Sequence, residues 1–292
     1  HHLIFNHGLK SYRDLPVRIA EYGTVYRNEL SGTLSVLLRV RMLSMNDAHI
    51  YCTKEQIEKE VESVIEMIKE YYKIFGFKEY YFRLSLWDPK NKEKYINEPK
   101  NWEYAEEQLR KVLKKLKVKF VEAKDEATFY GPKIDVQFKT VLGREETVST
   151  IQLDFVAKSR FKFKYFDKDG KANNEVFVIH RAPLSTSERL IAYLIEHYAG
   201  KFPLWLSPVQ VKILTVNERN NKFASELYEK LKNENIRVEL DDRSETISKK
   251  VRDAQTEKIP YAVTIGDKEV SSKSLAVRNK DGKVTFNVKI DK

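Results

Sequence analysis

The chain has one cysteine, Cys52, in 292 residues. An internal disulfide is therefore excluded, and no apolar signal-peptide segment opens the chain, so the expected compartment is reducing and cytoplasmic. The longest apolar runs fall far short of the ~18 residues that a membrane-spanning helix needs. That removes integral helical membrane proteins. Repeats of ~20–50 residues and low-complexity stretches are also missing, which removes solenoid arrays.

What is present is material for about two domains, with 41% hydrophobic and 33% charged residues. Lysine and arginine number 53 against 43 aspartate and glutamate, for a formal charge of +10. The segment from Ser207 onward holds 18 basic and 14 acidic residues, so it carries +4 and the larger preceding piece +6. No basic tail holds the charge, so a polyanion would have to meet a folded surface.

Periodicity orders the chain. Thr53-Lys-Glu-Gln56 has the spacing of a capping box, and Ile57, Val61, Val64, Ile65 and Ile68 follow on one helical face that ends at Gly76. A strand over Tyr80–Leu86, a polar loop containing Pro89 and Pro99, and a second helix from about Trp102 to Leu116 come next. From Lys117 to Tyr165 the apolar residues fall two apart between turn residues, which predicts an antiparallel sheet. A strand over Val176–His180 leads to Ser185-Thr-Ser-Glu188, again with capping-box spacing, and an apolar helix through Leu190, Ile191, Leu194, Ile195 and Tyr198 to Gly200. Beyond Leu206 the rhythm changes to single helices between strands at Val211–Val216, Ile236–Leu240 and Tyr261–Ile265, which predicts βαβ units and a small, mostly parallel sheet. The expected domains are 1–206 and 207–292.

Four constellations could carry chemistry. Arg27 and Glu29, then Arg39 and Arg41, suit a phosphate or carboxylate held by planar forks, and equally a surface ladder of ion pairs. Tyr130 and Lys133 flank the Gly131-Pro132 turn and could share a cleft, although a lysine after a turn is usually just solvated. Strand alternation sets Thr150, Gln152 and Asp154 on one face, toward solvent or a wet pocket. His180-Arg181 precedes a helix start with Arg189 one turn in, which fits an anion site or plain capping. His49 and His180 could share a metal, although two histidines are weak support for one.

In this order the motifs resemble the class II threonyl-tRNA synthetases. Tyr26-Arg-Asn-Glu29 through Arg39-Val-Arg41 and Asp47-Ala-His49 is similar to that family's motif 2 region. Phe129-Tyr-Gly-Pro-Lys-Ile-Asp135, Thr150-Ile-Gln-Leu-Asp-Phe155 and Ile179-His-Arg-Ala182 are similarly close, and the likeness runs from His1 to about Arg278. The fold it implies is α/β in composition: a class II antiparallel sheet with flanking helices, then an anticodon-binding domain. It implies a threonine–tRNA ligase that uses ATP with Mg2+ and recognises threonine through zinc. Arg27 and Arg189 are the implied catalytic arginines, and Arg27, Glu29, Arg39 and Arg189 the implied ATP contacts. Asp47, Tyr130, Lys133 and Gln152 are implied to bind threonine, His49 and His180 to hold zinc, and Arg252, Glu269 and Arg278 to read the anticodon of tRNA(Thr). A homodimer is the family's usual state. Its motif 1 helix and its third zinc ligand, a cysteine, are expected upstream of His1; the abrupt start suggests a C-terminal portion of a longer enzyme.

Several positions depart from the family pattern. Met42 and Met45 stand where Gly and Gln are expected, Ser185 and Val36 replace glycines, Leu30 replaces proline and Ser244 replaces asparagine. Added Cβ atoms and lost polar groups on the nucleotide side are expected to narrow the ATP pocket. The competing functional reading is therefore a synthetase-like chain that binds tRNA or amino acid without turnover, and a third is a class IIa synthetase of another specificity.

Overall fold

The computed structural model describes residues 1–139, 143 and 145–290. They form two compact units, His1–Tyr193 and Leu194–Lys292. In chain order the first unit begins with helix α1 (His2–Asn6), strands β1 (Val17–Tyr26) and β2 (Met42–Cys52), and helix α2 (Ile57–Ile74). Strand β3 (Tyr80–Ser85), helix α3 (Pro99–Lys115) and strands β4 (Phe120–Ala123), β5 (Lys133–Lys139) and β6 (Glu145–Asp154) follow. Helix α4 (Ala157–Arg160) precedes the short hairpin β7 (Tyr165–Phe166) and β8 (Ala172–Asn173), then strand β9 (Phe177–Ala182) and helix α5 (Ser187–Tyr198), which runs across the division between units.

The main sheet has the order β1-β2-β9-β6-β5-β3-β4. Its pairings are antiparallel, as alternation predicts, except that β4 runs parallel to β3. The α3 crossover between β3 and β4 is long enough to permit that direction. The Thr53 capping box forms, with the Gln56 side chain accepting from the Thr53 amide at 3.0 Å, and all five apolar residues predicted for α2 are buried. Pro99 opens α3 instead of lying in the preceding loop; at the first helical position its missing N–H is no loss. At α5 the capping differs from expectation. Thr186, not Ser185, accepts from the Arg189 amide at 3.2 Å, and the Glu188 carboxylate accepts from the Ser44 amide of β2 at 3.1 Å. In that helix Tyr193 and Leu194 are buried, while Ile191 and Ile195 remain exposed.

The second unit contains β10 (Val211–Thr215), α6 (Asn221–Asn233), β11 (Val238–Asp241), α7 (Ile247–Thr256), β12 (Tyr261–Ile265), α8 (Asp267–Ser272), β13 (Ser274–Asn279) and β14 (Val284–Lys289). Its sheet order is β11-β10-β12-β13-β14. The first three strands are parallel, but β13 and β14 pair antiparallel, so the sheet is mixed rather than mostly parallel. The stretch joining β12 to β13, with only α8 in it, is too short for a parallel crossover of a dozen or more residues. Helices α6 and α7 fill two separate cores, around Leu227 and Ala254 respectively.

Candidate active site

Strand register builds the site. Across the sheet, Ile19 pairs with His49, His49 with His180, His180 with Gln152, Gln152 with Lys133 and Lys133 with Ser85. Four residues singled out from sequence thus lie in one row, and aligned neighbours share a face of the sheet. The opposite face carries Ile50, Ile179, Leu153 and Ile134, all buried, and α2 packs on β9 and β6. Apolar and polar alternation has therefore turned every chemically useful side chain of the row to the same side.

A cavity of about 290 Å³ opens on that face, lined among others by Arg27, Asp47, Tyr130, Gln152, His180 and Arg189. Met45, Ser185 and Thr150 also line it. The Tyr130 hydroxyl donates to the Gln152 side-chain oxygen, and burial together with the nearby Asp154 charge pushes Tyr130 up to about 12. Gly131 brings this turn against β6: a Cβ there would lie 1.9 Å from the Leu153 carbonyl oxygen, so only glycine fits. Burial raises the Asp47 carboxyl above its ordinary range, and His180 and Arg181 pull against that shift.

His49 and His180 stand with ring centroids 4.4 Å apart. Burial, then the neighbouring His180 and His2, push His49 down to about 3, which favours its neutral form, the one that binds metals. Nε2 of His180 lies 3.0 Å from Asp154 Oδ2, while Asp154 Oδ1 accepts from the amides of Val156 and Ala157. Asp154 is 5% exposed and fixed by three partners, so it orients the His180 ring. The sequence marks Asp154 only as sharing a face with Gln152; its link to His180 depends on the β6–β9 pairing. Among the described residues no group of three or more His, Cys, Asp or Glu side chains is placed to hold a metal ion.

Other expected residues lie at or beyond the rim. Arg39 forks onto Glu29, Nε to Oε2 at 2.9 Å, while Arg41 Nε donates to the Glu29 carbonyl at 3.1 Å. The ion-pair ladder and the arginine cluster are thus the same object. Arg189 Nε donates to the Leu38 carbonyl at 2.7 Å, tying α5 to the 31–41 segment. Lys133 pairs with buried Asp135, which also accepts from Ser85 and Arg83, and does not line the cavity. Met42 sits exposed at the start of β2, away from the lining.

In the second unit a crevice of about 760 Å³ lies at the carboxyl ends of β10 and β11, lined among others by Asn217, Arg219, Arg243, Ser244 and Thr246. Arg252, Glu269 and Arg278 are not in its lining. Arg252 is exposed on α7, Glu269 accepts from the Gly266 amide at the start of α8, and Arg278 on β13 donates to the Gly282 carbonyl. Periodicity did not single out the crevice, although the carboxyl ends of parallel strands are where open α/β sheets hold ligands.

The model for the tRNA synthetase class II core domain (G, H, P, S and T) matches residues 1–198, and that for an anticodon binding domain matches residues 210–292. The chain belongs to the class II tRNA synthetases. Within that class it is 48% identical over all 292 residues to the threonine–tRNA ligases of Oceanobacillus iheyensis and Geobacillus kaustophilus, covering 45% of each. It therefore spans less than half the length of these curated relatives. The crystal structure of the RNA binding domain of threonyl-tRNA synthetase from Cryptosporidium parvum Iowa II superposes with a TM-score of 0.90 at 35% identity, over 100% of this chain and 72% of that one. The synthetase core thus contains the histidine row and its cavity, and the anticodon-binding domain contains the crevice.

Proposed function

We propose that this chain activates threonine with ATP and transfers it to tRNA(Thr), as a threonine–tRNA ligase. The observation that carries the reading is the convergence of Arg27, Arg189, Asp47, Tyr130, Gln152 and His180 on one small cavity of a class II core. Arg27 and Arg189 suit the α-phosphate of ATP, and Arg27 also the amino-acid carboxylate. As a threonine carboxylate oxygen attacks the α-phosphorus and the bond to pyrophosphate breaks, these guanidiniums stabilise the charge that develops there. A ribose hydroxyl of the tRNA's terminal adenosine then attacks the acyl carbon and AMP departs. Neither step needs a protein nucleophile.

Glu29 and Arg39 fit contacts to adenine and the outer phosphates, with Mg2+ arriving on ATP. Asp47, Tyr130 and Gln152 fit the polar end of threonine; Lys133, expected beside them, pairs with Asp135 beyond the lining. His49 and His180 would hold zinc, which would serve to recognise threonine, but the described residues do not complete its ligand set. Arg252, Glu269 and Arg278 remain the proposed anticodon contacts. A cytoplasmic setting and the family's homodimer belong to the same reading; among the described residues no helix is long and apolar enough to cross a membrane.

The test is calorimetric titration with a non-hydrolysable threonyl-adenylate analogue. Saturable binding is expected, weakened about 100-fold or more by Arg27→Ala or Arg189→Ala. No saturable binding, or equal affinity for the valyl analogue, overturns the assignment.

A further inference from the structure

A second groove lies in the first unit, away from the cavity lining, where the exit of α1 meets the segment after α4. It encloses about 280 Å³ between Phe5, Lys10, Phe161, Lys162, Lys164 and Phe166. Alternation explains its surface. Phe163 and Tyr165 point inward to the core with Phe5 and Tyr51, so Lys162 and Lys164 are driven outward. Phe161 is 37% exposed, stacked at 5.7 Å on Phe163, and its carbonyl accepts from the Asn6 side chain at 2.6 Å.

The charge is one-sided. Residues 158–171 contain six cations and two carboxylates. Lys162 and Lys164 form no ion pair or side-chain hydrogen bond among the described residues. Of the nearby carboxylates, Asp14 accepts from the Ser11 amide and Asp167 from the amides of Asp169 and Lys171, leaving Asp169 exposed in the turn. Lys158 is held by Glu175, Arg160 lies over the Phe129 ring and Lys168 is 6.0 Å from the Tyr12 ring. Unpaired lysines beside an exposed aromatic face are the parts of a single-strand platform: the cations follow phosphates and the ring stacks a base. His2 links this groove to the histidine row, with ring centroids 4.5 Å from Phe161 and 5.3 Å from His49.

We propose that this groove binds a single-stranded stretch of RNA, with its phosphates on Lys162 and Lys164 and a base on Phe161. The inference rests on the proposed RNA substrate but uses none of the residues assigned to threonine, ATP or the anticodon. The test follows anisotropy of a short labelled single-stranded RNA on the full chain across a salt series. Lys162→Asn with Lys164→Gln, both at exposed positions, should reduce the slope of log affinity against log salt by about 1.4, at ~0.7 per lost phosphate contact. Phe161→Ala should weaken binding about fivefold or more, and Phe161→Trp should restore it. Unchanged slope and affinity in the lysine variant overturn the proposal. Equal loss of RNA and heparin binding with no effect of Phe161→Ala also overturns it, in favour of a general anionic surface. Adenylate-analogue binding should survive in the lysine variant; if the unsubstituted chain fails to bind that analogue while the RNA slope responds, the ligase reading falls and the groove stands.

Discussion

Single positions record where the sequence departs from the pattern that its motifs lead one to expect. Of the three residues at expected glycines, Val36 and Ser185 keep the left-handed backbone that glycine would favour, at φ 40° and 58°, while Met42 does not. A left-handed L-residue costs roughly 1–2 kcal/mol, most for a β-branched one. Val36 is 89% exposed and surrenders no packing when trimmed. Val36→Gly is therefore expected to raise stability by about 0.5–1 kcal/mol after the added chain entropy, seen as a higher urea midpoint; a lower midpoint would refute the strain. A second residue-scale case is Asp241, whose carboxyl is held below its ordinary range first by Arg243, at 2.7 Å. A depressed carboxylate contributes stability above its unfolded pKa and loses it as pH falls through the folded value. Because Arg243 is half exposed, solvent screens much of that contribution. Arg243→Gln should thus lie below the parent at pH 6 and converge on it below about pH 4; a constant gap down to pH 2 contradicts the pairing.

Among the elements, the helices were the most legible from sequence. The α2 face and its capping box were both readable, because a 3.6-residue period and local caps act within one segment. Pairing partners were not readable. Nothing in the sequence near Asp154 points to His180, and the parallel β4 and antiparallel β13 follow from connection lengths rather than from pattern. The second unit has a comparable long-range tie. Lys250, 1% exposed, donates from α7 to the Thr215 carbonyl at 2.8 Å and the Asp241 carbonyl at 3.1 Å, joining the ends of β10 and β11 below the crevice. Replacing Lys250 by Met keeps the stem and strands these acceptors. A loss of about 2–4 kcal/mol in chemical denaturation is expected, and a change under 0.5 kcal/mol would show that the tie is idle.

At the scale of the molecule, the change of rhythm near Leu206 suggests a second domain; the second compact unit begins earlier, at Leu194, and carries its own sheet and cores. Residues 207–292 expressed alone, with the last two outside the described residues, should unfold in urea as one cooperative transition. A gradual, non-cooperative loss of ellipticity would contradict an independent core. The net +10 also gains meaning at this scale, because the cations collect on folded surfaces such as the 158–171 segment.

The row from Ile19 to Ser85 also sets which length changes the molecule tolerates. His49 and His180 are 131 positions apart, yet their meeting depends only on how β2 lies against β9. Extra residues at the Gly170 turn would leave the two rings facing each other. One extra residue within β9 before His180 would turn that ring to the apolar side and leave the residue ahead of it facing His49, so a single inserted codon could do what a whole added loop does not.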